Sequence, residues 1–278
     1  MERTLKRRAA AAAAGLALIT GGAVLAGCGS SSSSSETTTR AAAAADASTQ
    51  PANGIEKLPA TEILSTSLAA GKAASSLTVK GTITEGGEET SLDLVLGTDA
   101  GEGTIGTQGV TLSTVSVDGN LYFKASGDGW ATLLRSAGDG ADNAAGTALG
   151  DLLGDKWLKL PANPDSLDAA GGPIGVLLAT LGGLIQKDSL LEAFLSPDDT
   201  PTVKGTGDVN GTPVVFLDDS EGGVTRAIQT VGEPYPVQIK GNDSGSSGEI
   251  TFSNWNAPVS VTAPTDVVDI GELATLGG

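Results

Sequence analysis

The sequence predicts an α+β fold built on an antiparallel β-sheet of barrel or sandwich type. Three observations carry this expectation. Glycine is abundant (40 of 278 residues) and serine and threonine are frequent, whereas aromatic residues make up 3% of the chain and histidine is absent. Period-two apolar segments recur at regular spacing with turn residues between them, the pattern of an antiparallel series. Helical periodicity is confined to one segment that opens the globular part and one in the middle of the chain.

The amino terminus precedes all of this. Residues 1–8 are basic, and an apolar Ala/Gly-rich stretch runs from Ala9 to Ala26, which resembles a secretory signal peptide. Leu25-Ala26-Gly27-Cys28 then looks like the lipobox of bacterial lipoproteins, and Cys28 is the sole cysteine. The resemblance implies cleavage before Cys28, a diacylglyceryl thioether on its sulfur and an N-acyl group on the new amino terminus, with no other cofactor. Arg7-Arg8 is followed by alanines, so a twin-arginine export signal is weak. From Gly29 to about Pro59 the chain is low complexity, with Ser30–Ser35, Thr37–Thr39 and Ala41–Ala45. Such a segment buries too little apolar surface to offset its ordering entropy. It reads as a tether, and about thirty residues of coil reach roughly 30 Å. The expected boundaries are 1–27 signal peptide, 28–59 tether, 60–266 folded domain and 267–278 tail.

The domain opens with a helix, where Ile63, Leu64, Leu68 and Ala74 recur at helical spacing and Thr61 could cap the start. Leu77, Val79 and Ile83 then alternate with polar residues as in a half-buried strand, and Leu92, Leu94 and Leu96 repeat this after a Glu85–Glu89 turn. Val110–Leu112 and Val115–Val117 follow, with a phase slip at Ser113-Thr114 that suggests a bulge. At Asp118-Gly119-Asn120 a three-residue loop would pair Val117 with Leu121, while a two-residue Asp-Gly turn has the stronger intrinsic preference but mismatches the apolar faces. The first is the expectation. Trp130 and Trp157–Leu160 are expected in further short strands. Asn210-Gly211 specifies a hairpin with Val209 opposite Thr212, Gly207 opposite Val214 and Gly205 opposite Phe216. Strands near Val224–Ile228, Pro236–Lys240 and Glu249–Ser253 complete the series.

Between the sheet halves, Pro173–Ile185 is the most apolar segment after the signal, followed by Leu190, Leu191, Phe194 and Leu195. It is too short and glycine-rich to span a bilayer comfortably. Two readings remain open here. One is a buried core helix or helical pair. The other is a helical wall over an apolar cavity, with Val176, Leu177, Leu181, Leu184, Ile185 and Phe194 facing a ligand.

Several functions are excluded or disfavoured. Without histidine there is no Ser-His-Asp triad and no His-ligated zinc. Asp198-Asp199 and Asp218-Asp219 lack EF-hand spacing and read as solvated turns. Gly101–Gly106 mimics a dinucleotide-binding string without the strand–turn–helix it requires. Residues 1–27 hold four of the 16 basic and one of the 33 acidic residues, so the remainder carries 12 and 32, a net charge of −20. A surface this acidic repels nucleic acid and anionic headgroups.

The motifs together resemble a known group, the actinobacterial lipoproteins of the LppX/LprG type, related in fold to the LolA/LolB lipoprotein carriers. Asp118-Gly119-Asn120-Leu121-Tyr122-Phe123 followed by Gly129-Trp130 is similar to the family's Asp-Gly-x-x-Tyr strand leading to a Trp. Phe252-Ser253-Asn254-Trp255 with Pro258–Pro264 is similar to its closing strand and tail, and Pro173–Leu184 sits where its cavity helices lie. The Gly/Ala/Asp-rich loop from Ser136 to Asp155 departs from the pattern. The resemblance implies a strongly curved, incompletely closed barrel with helices on its concave side. It also implies a non-enzymatic protein, anchored by lipid to the outer face of the cell membrane, that binds an acylated lipid or glycolipid. An export pump or another envelope protein is a partner by analogy. Trp130 and Trp255 are expected in the core. The rival expectation is an envelope interaction module with the same fold and a filled core.

Overall fold

Four tight turns set the register of the sheet. Gly86-Gly87, Gln108-Gly109, Asp118-Gly119 and Asn210-Gly211 all have positive φ at both residues, the geometry that lets a two-residue loop follow the right-handed twist of its strands. They join β1 (Ser76–Glu85) to β2 (Glu88–Gly97), β3 (Gly101–Thr107) to β4 (Val110–Val117), β4 to β5 (Asn120–Lys124), and β7 (Thr202–Val209) to β8 (Thr212–Asp218). The remaining strands are β6 (Trp157–Pro161), β9 (Val224–Gln229), β10 (Pro236–Asn242), β11 (Ser246–Ser253) and β12 (Val267–Asp269). This computed structural model describes residues 50–137, 147, 150–161, 181–196, 200–219, 223–242 and 246–269. Cys28 and the signal segment lie outside them.

The strands form one twelve-stranded sheet in the order β12-β6-β5-β4-β3-β2-β1-β11-β10-β9-β8-β7. Its ends do not pair, so the sheet stays open. Every neighbouring pair is antiparallel except β12 on β6. Helices α1 (Ala60–Ala73), α2 (Gly127–Ala137) and α3 (Lys187–Leu195) accompany it. They supply Ile63, Leu64, Trp130, Leu133, Leu190, Leu191 and Leu195 to the same buried cluster as Leu77, Leu94, Leu112, Phe123, Leu217, Ile228 and Phe252 of the sheet. The helices therefore cover one face. No helix of the described residues is long and apolar enough to cross a membrane.

Several local expectations are corrected. The helix begins two residues earlier, capped by Pro59 rather than Thr61 and with no side-chain cap, because a proline there gives up no hydrogen bond that the helix start needs. β3 was not anticipated; its Gly-rich string conceals alternation in which Ile105 alone is a large buried side chain. β4 pairs without a register shift on either side, so there is no bulge at Ser113-Thr114. The phase slip records a change of face instead. Leu112 points into the main core, while Val115 and Val117 join Tyr122 on the opposite face under Trp157, Val261 and Ala263. The Asp118 turn is the two-residue form, pairing Val117 with Asn120 and Val115 with Tyr122. The mismatch is resolved because both faces of this strand pair are covered. Trp130 lies in α2, where the Ser126 hydroxyl accepts from the Gly129 N–H at 3.1 Å, a cap that starts a helix. The Asn210-Gly211 hairpin has the expected register at Val209–Thr212, Gly207–Val214 and Gly205–Phe216, and the pairing shifts only beyond them, between Gly205 and Val203.

The folded unit also extends beyond residues 60–266. Asn53 donates from its side chain to the carbonyls of Gln229 (3.1 Å) and Gly232 (3.0 Å), and Ile55 is buried in the main core. At the other end β12 occupies residues expected as tail. An apolar anchor and a ladder position, respectively, hold segments whose composition alone suggests coil.

α1 and α3 meet end to side. The buried Lys187 ammonium donates to the carbonyls of Lys72 (2.7 Å) and Gly71 (3.3 Å) and pairs with Asp188 (2.9 Å). It thereby satisfies acceptors that the end of α1 leaves unbonded. Lys72 and Glu192 pair across the same joint. Lys187→Met keeps the aliphatic stem and is expected to lower stability by about 1–3 kcal/mol, the cost of stranding those carbonyls; urea unfolding measures it, and an unchanged midpoint would refute the joint.

Asp218 ties β8 to its neighbours, accepting from the Thr225 hydroxyl at 2.7 Å and pairing with Lys204 at 3.0 Å. Partial burial works to raise its pKa, but these two partners prevail and hold it below the ordinary carboxylate value. A lowered folded pKa adds stability above the unfolded value, and this contribution is lost as pH falls through the folded value. Asp218→Asn is therefore expected to lower stability slightly at neutral pH and to flatten the acid limb of the stability profile below about pH 4. Thermal melts between acid and neutral pH test it, and parallel profiles would contradict it.

Candidate functional site

Cross-strand rows on the helix-covered face explain where a binding space can form. Residues that pair across a sheet share a face. One row runs Gly81, Ile250, Ile239, Arg226 and Leu217 from β1 to β8. The next runs Ile83, Gly248, Gly241 and Val224. The second row has branched side chains at its ends and glycines in its middle, so the sheet is hollow there.

The hollow is a cleft of about 240 Å³ beneath the carboxyl end of α3, walled by Ala193 and Phe194. Its floor cannot be filled by side-chain growth at Gly248. A Cβ there would lie 2.2 Å from the Thr82 carbonyl oxygen, and φ is +147°. Phe194 is fixed from two directions. Its ring meets Phe252 edge-on with centroids 6.1 Å apart, and its carbonyl accepts from Arg226 Nε at 2.9 Å. The guanidinium thus sits at the negative end of the α3 dipole. It is half-buried, and among the described residues it is the one cationic side chain lining the cleft. Glu249 also borders the space, but its carboxylate accepts from Gln238 at 2.8 Å and pairs with Lys240 at 3.1 Å.

Larger depressions bordered by charged groups lie elsewhere on the described surface. One of about 730 Å³ on the opposite face is bordered by Asp93, Glu102, Lys124, Asp155 and Asp266. Another, of about 610 Å³, lies among the β2–β3 and β4–β5 turns and the start of α3. The first also has Val95, Val115, Trp157 and Pro264 on its walls, set among those charged groups. Among the described residues no group of three or more carboxylates or other ligating side chains is placed to hold a metal ion.

The sequence-predicted cavity residues fall in different places. Val176 and Leu177 lie outside the described residues. Leu181 and Ile185 are buried in the main core, and Leu184 is packed against it. Of the described members of the set, Phe194 alone lines the cleft. The floor residues Ile83, Ile239, Ile250 and Arg226 were not singled out; the signal for them was glycine at Gly241 and Gly248 inside otherwise apolar strands.

Solved structures of similar fold include LprF from Mycobacterium bovis, at 16% identity and a TM-score of 0.45, covering 77% of this chain and 99% of that one. They also include the Mycobacterium tuberculosis lipoprotein LppX, at 17% identity and a TM-score of 0.42, covering 73% and 97%. The likeness is one of fold. No family model matches the chain, and no curated protein does. The open sheet agrees with the fold class read from the motifs, and the group they pointed to is represented among these structures.

Proposed function

We propose that the protein is a lipid-anchored, non-enzymatic component of the cell envelope that shelters acyl chain in the cleft between α3 and the β9–β11 region. The observation that carries this reading is the glycine-floored apolar cleft. Each methylene withdrawn from water there contributes about 0.8 kcal/mol, so Ile83, Val224, Ile239 and Ile250 can hold hydrocarbon without specific polar contacts. The sequence around Cys28 supports anchorage at the outer face of the membrane, with the domain held above it by its tether. At about 240 Å³ the space is smaller than the roughly 300–1,000 Å³ of common ligand pockets. That favours one chain, or part of one, over a whole multi-acyl lipid.

The test is native mass spectrometry of the Cys28→Ser chain, made with its signal peptide in a host that supplies lipid, followed by organic extraction. An extractable acylated lipid is expected. Ile239→Trp, which fills the cleft, should reduce its occupancy at least about tenfold, since a lost chain segment of two or more methylenes exceeds the 1.4 kcal/mol of a decade. A clean apo mass after incubation with host lipid would overturn the reading. The burial of Leu181 and Ile185 in the core favours a second reading, an interaction module with a filled interior, and that outcome would select it. Fatty-acid labelling should vanish in Cys28→Ser, and persistent labelling would remove the anchor.

A further inference from the structure

The two ends of the sheet are finished differently. At one end β12 is three residues long and lies parallel on β6. At the other, β7 is eight residues long, pairs with β8 on its inner side, and has no strand beyond it among the described residues. All of β7 except Gly205 and Val209 is exposed. The register shows which main-chain groups face outward, because residues of an antiparallel pair exchange hydrogen bonds only at every second position. Asp208 lies opposite Pro213, which has no N–H. The Pro213 carbonyl is turned the other way and accepts from the Thr230 N–H at 2.9 Å. Asp208 therefore directs its own N–H and C=O away from β8, and so does Thr206 two residues earlier. A row of this kind is a template for a further strand.

The edge is also complementary to itself. A two-fold axis at Thr206 sets two copies of β7 antiparallel, with Thr206 against Thr206, Gly205 against Gly207, Val203 against Val209 and Lys204 against Asp208. The outward groups of Thr206 then bond each other across the axis, and the opposite-charge pair occurs twice. Val203, 44% exposed, gains an apolar neighbour, and the two glycines leave the backbones free to approach. A lysine on an edge ordinarily guards it against pairing, but in this register the aspartate answers the lysine. Lys204 pairs with Asp218 at 3.0 Å, and an ammonium has three donors, so it can serve a second carboxylate as well. Asp208 Oδ1 accepts from the Gly211 N–H at 2.7 Å, and among the described residues the carboxylate faces no cation of its own domain.

We propose that β7 is a homophilic edge, through which two copies of this chain pair about a two-fold axis at Thr206 and join their sheets into one. Such a contact uses the same patch on both copies and closes on itself, so it gives a dimer and not a fibre. A single strand pair is a small contact, and the association is accordingly weak and concentration-dependent.

The experiment is sedimentation velocity of the full chain carrying Cys28→Ser over a wide range of concentration, at about 0.15 M salt, where repulsion between two acidic domains is screened beyond about 8 Å. A monomer–dimer equilibrium is expected. Lys204→Asp and Asp208→Lys should each weaken it at least about tenfold, since the symmetry makes two attractive pairs repulsive at once. The variant carrying both changes should recover association to within about threefold of the original. Thr206→Pro removes the central outward N–H at a position proline can occupy on an edge strand, and it should abolish the dimer without lowering the melting temperature. Amide exchange at Thr206 and Asp208 of the unaltered edge should slow as the dimer fills. A protein that stays monomeric at the highest concentration would overturn the proposal. So would a dimer that survives Thr206→Pro and both charge reversals, because its contact would lie elsewhere. A dimer lost in the single reversals and not recovered when they are combined would overturn the two-fold register at Thr206.

Discussion

Replacing Trp130 with alanine is expected to lower the unfolding free energy by about 3–5 kcal/mol, the range for deleting a buried large aromatic. The ring is 1% exposed and belongs to the main core with Leu133 and Leu112. Its indole Nε1–H is buried without a hydrogen-bond partner, and such a donor costs about 1–3 kcal/mol. Trp130→Phe should therefore recover most of the loss, because it keeps the ring contacts and removes the stranded donor. Denaturant unfolding of the two variants tests both statements. A phenylalanine variant as damaged as the alanine one would mean that the N–H has a partner the geometry does not give it.

Gly248→Val is expected to be at least as disruptive locally, at about 3 kcal/mol or more, since side chains that meet backbone at a forbidden φ are among the severe mechanisms. The neighbour is the Thr82 carbonyl and cannot move without unpairing β1 from β11. The same seam has Gly81, where a Cβ would lie 2.0 Å from the Glu249 carbonyl oxygen. Gly211→Ala, in an exposed turn with nothing near its Cβ, is the milder comparison. If valine at position 248 left both stability and acyl binding intact, the close backbone approach under the cleft would be wrong.

The strands with clean alternation were legible from the chain alone: β1, β2 and β9–β11 follow their apolar periods, and the Asn210-Gly211 turn fixed the β7–β8 register without ambiguity. The sequence pattern misleads where both faces of a strand are covered. β4 reads as broken only if Val115 and Val117 must share a side with Leu112; the C-terminal segment carrying Val261 and Ala263 covers the far side, and nothing local announces that. Trp130 reads as strand because its strand-like neighbours outweigh the Ser126 cap, which places it in α2. The cleft was half legible. Phe194 is legible, but the floor is made by Gly248 and Gly241 paired across two strands, and the partner of a glycine is a property of the sheet register rather than of its own segment.

The order of the strands has a consequence for how the chain reaches this state. β1 lies beside β11 at the centre of the sheet, joining Val79 to Phe252 across most of the domain's length. The pairs to either side are joined mainly by short turns, so each half can assemble from local contacts soon after it is made. Closing the central seam must wait for the last strands, and contacts of such high sequence separation make folding slow. A chain delivered amino end first therefore spends its longest interval as two half-sheets with bare inner edges. The glycines at positions 81 and 248 lie on those edges, at the step that turns two halves into one domain.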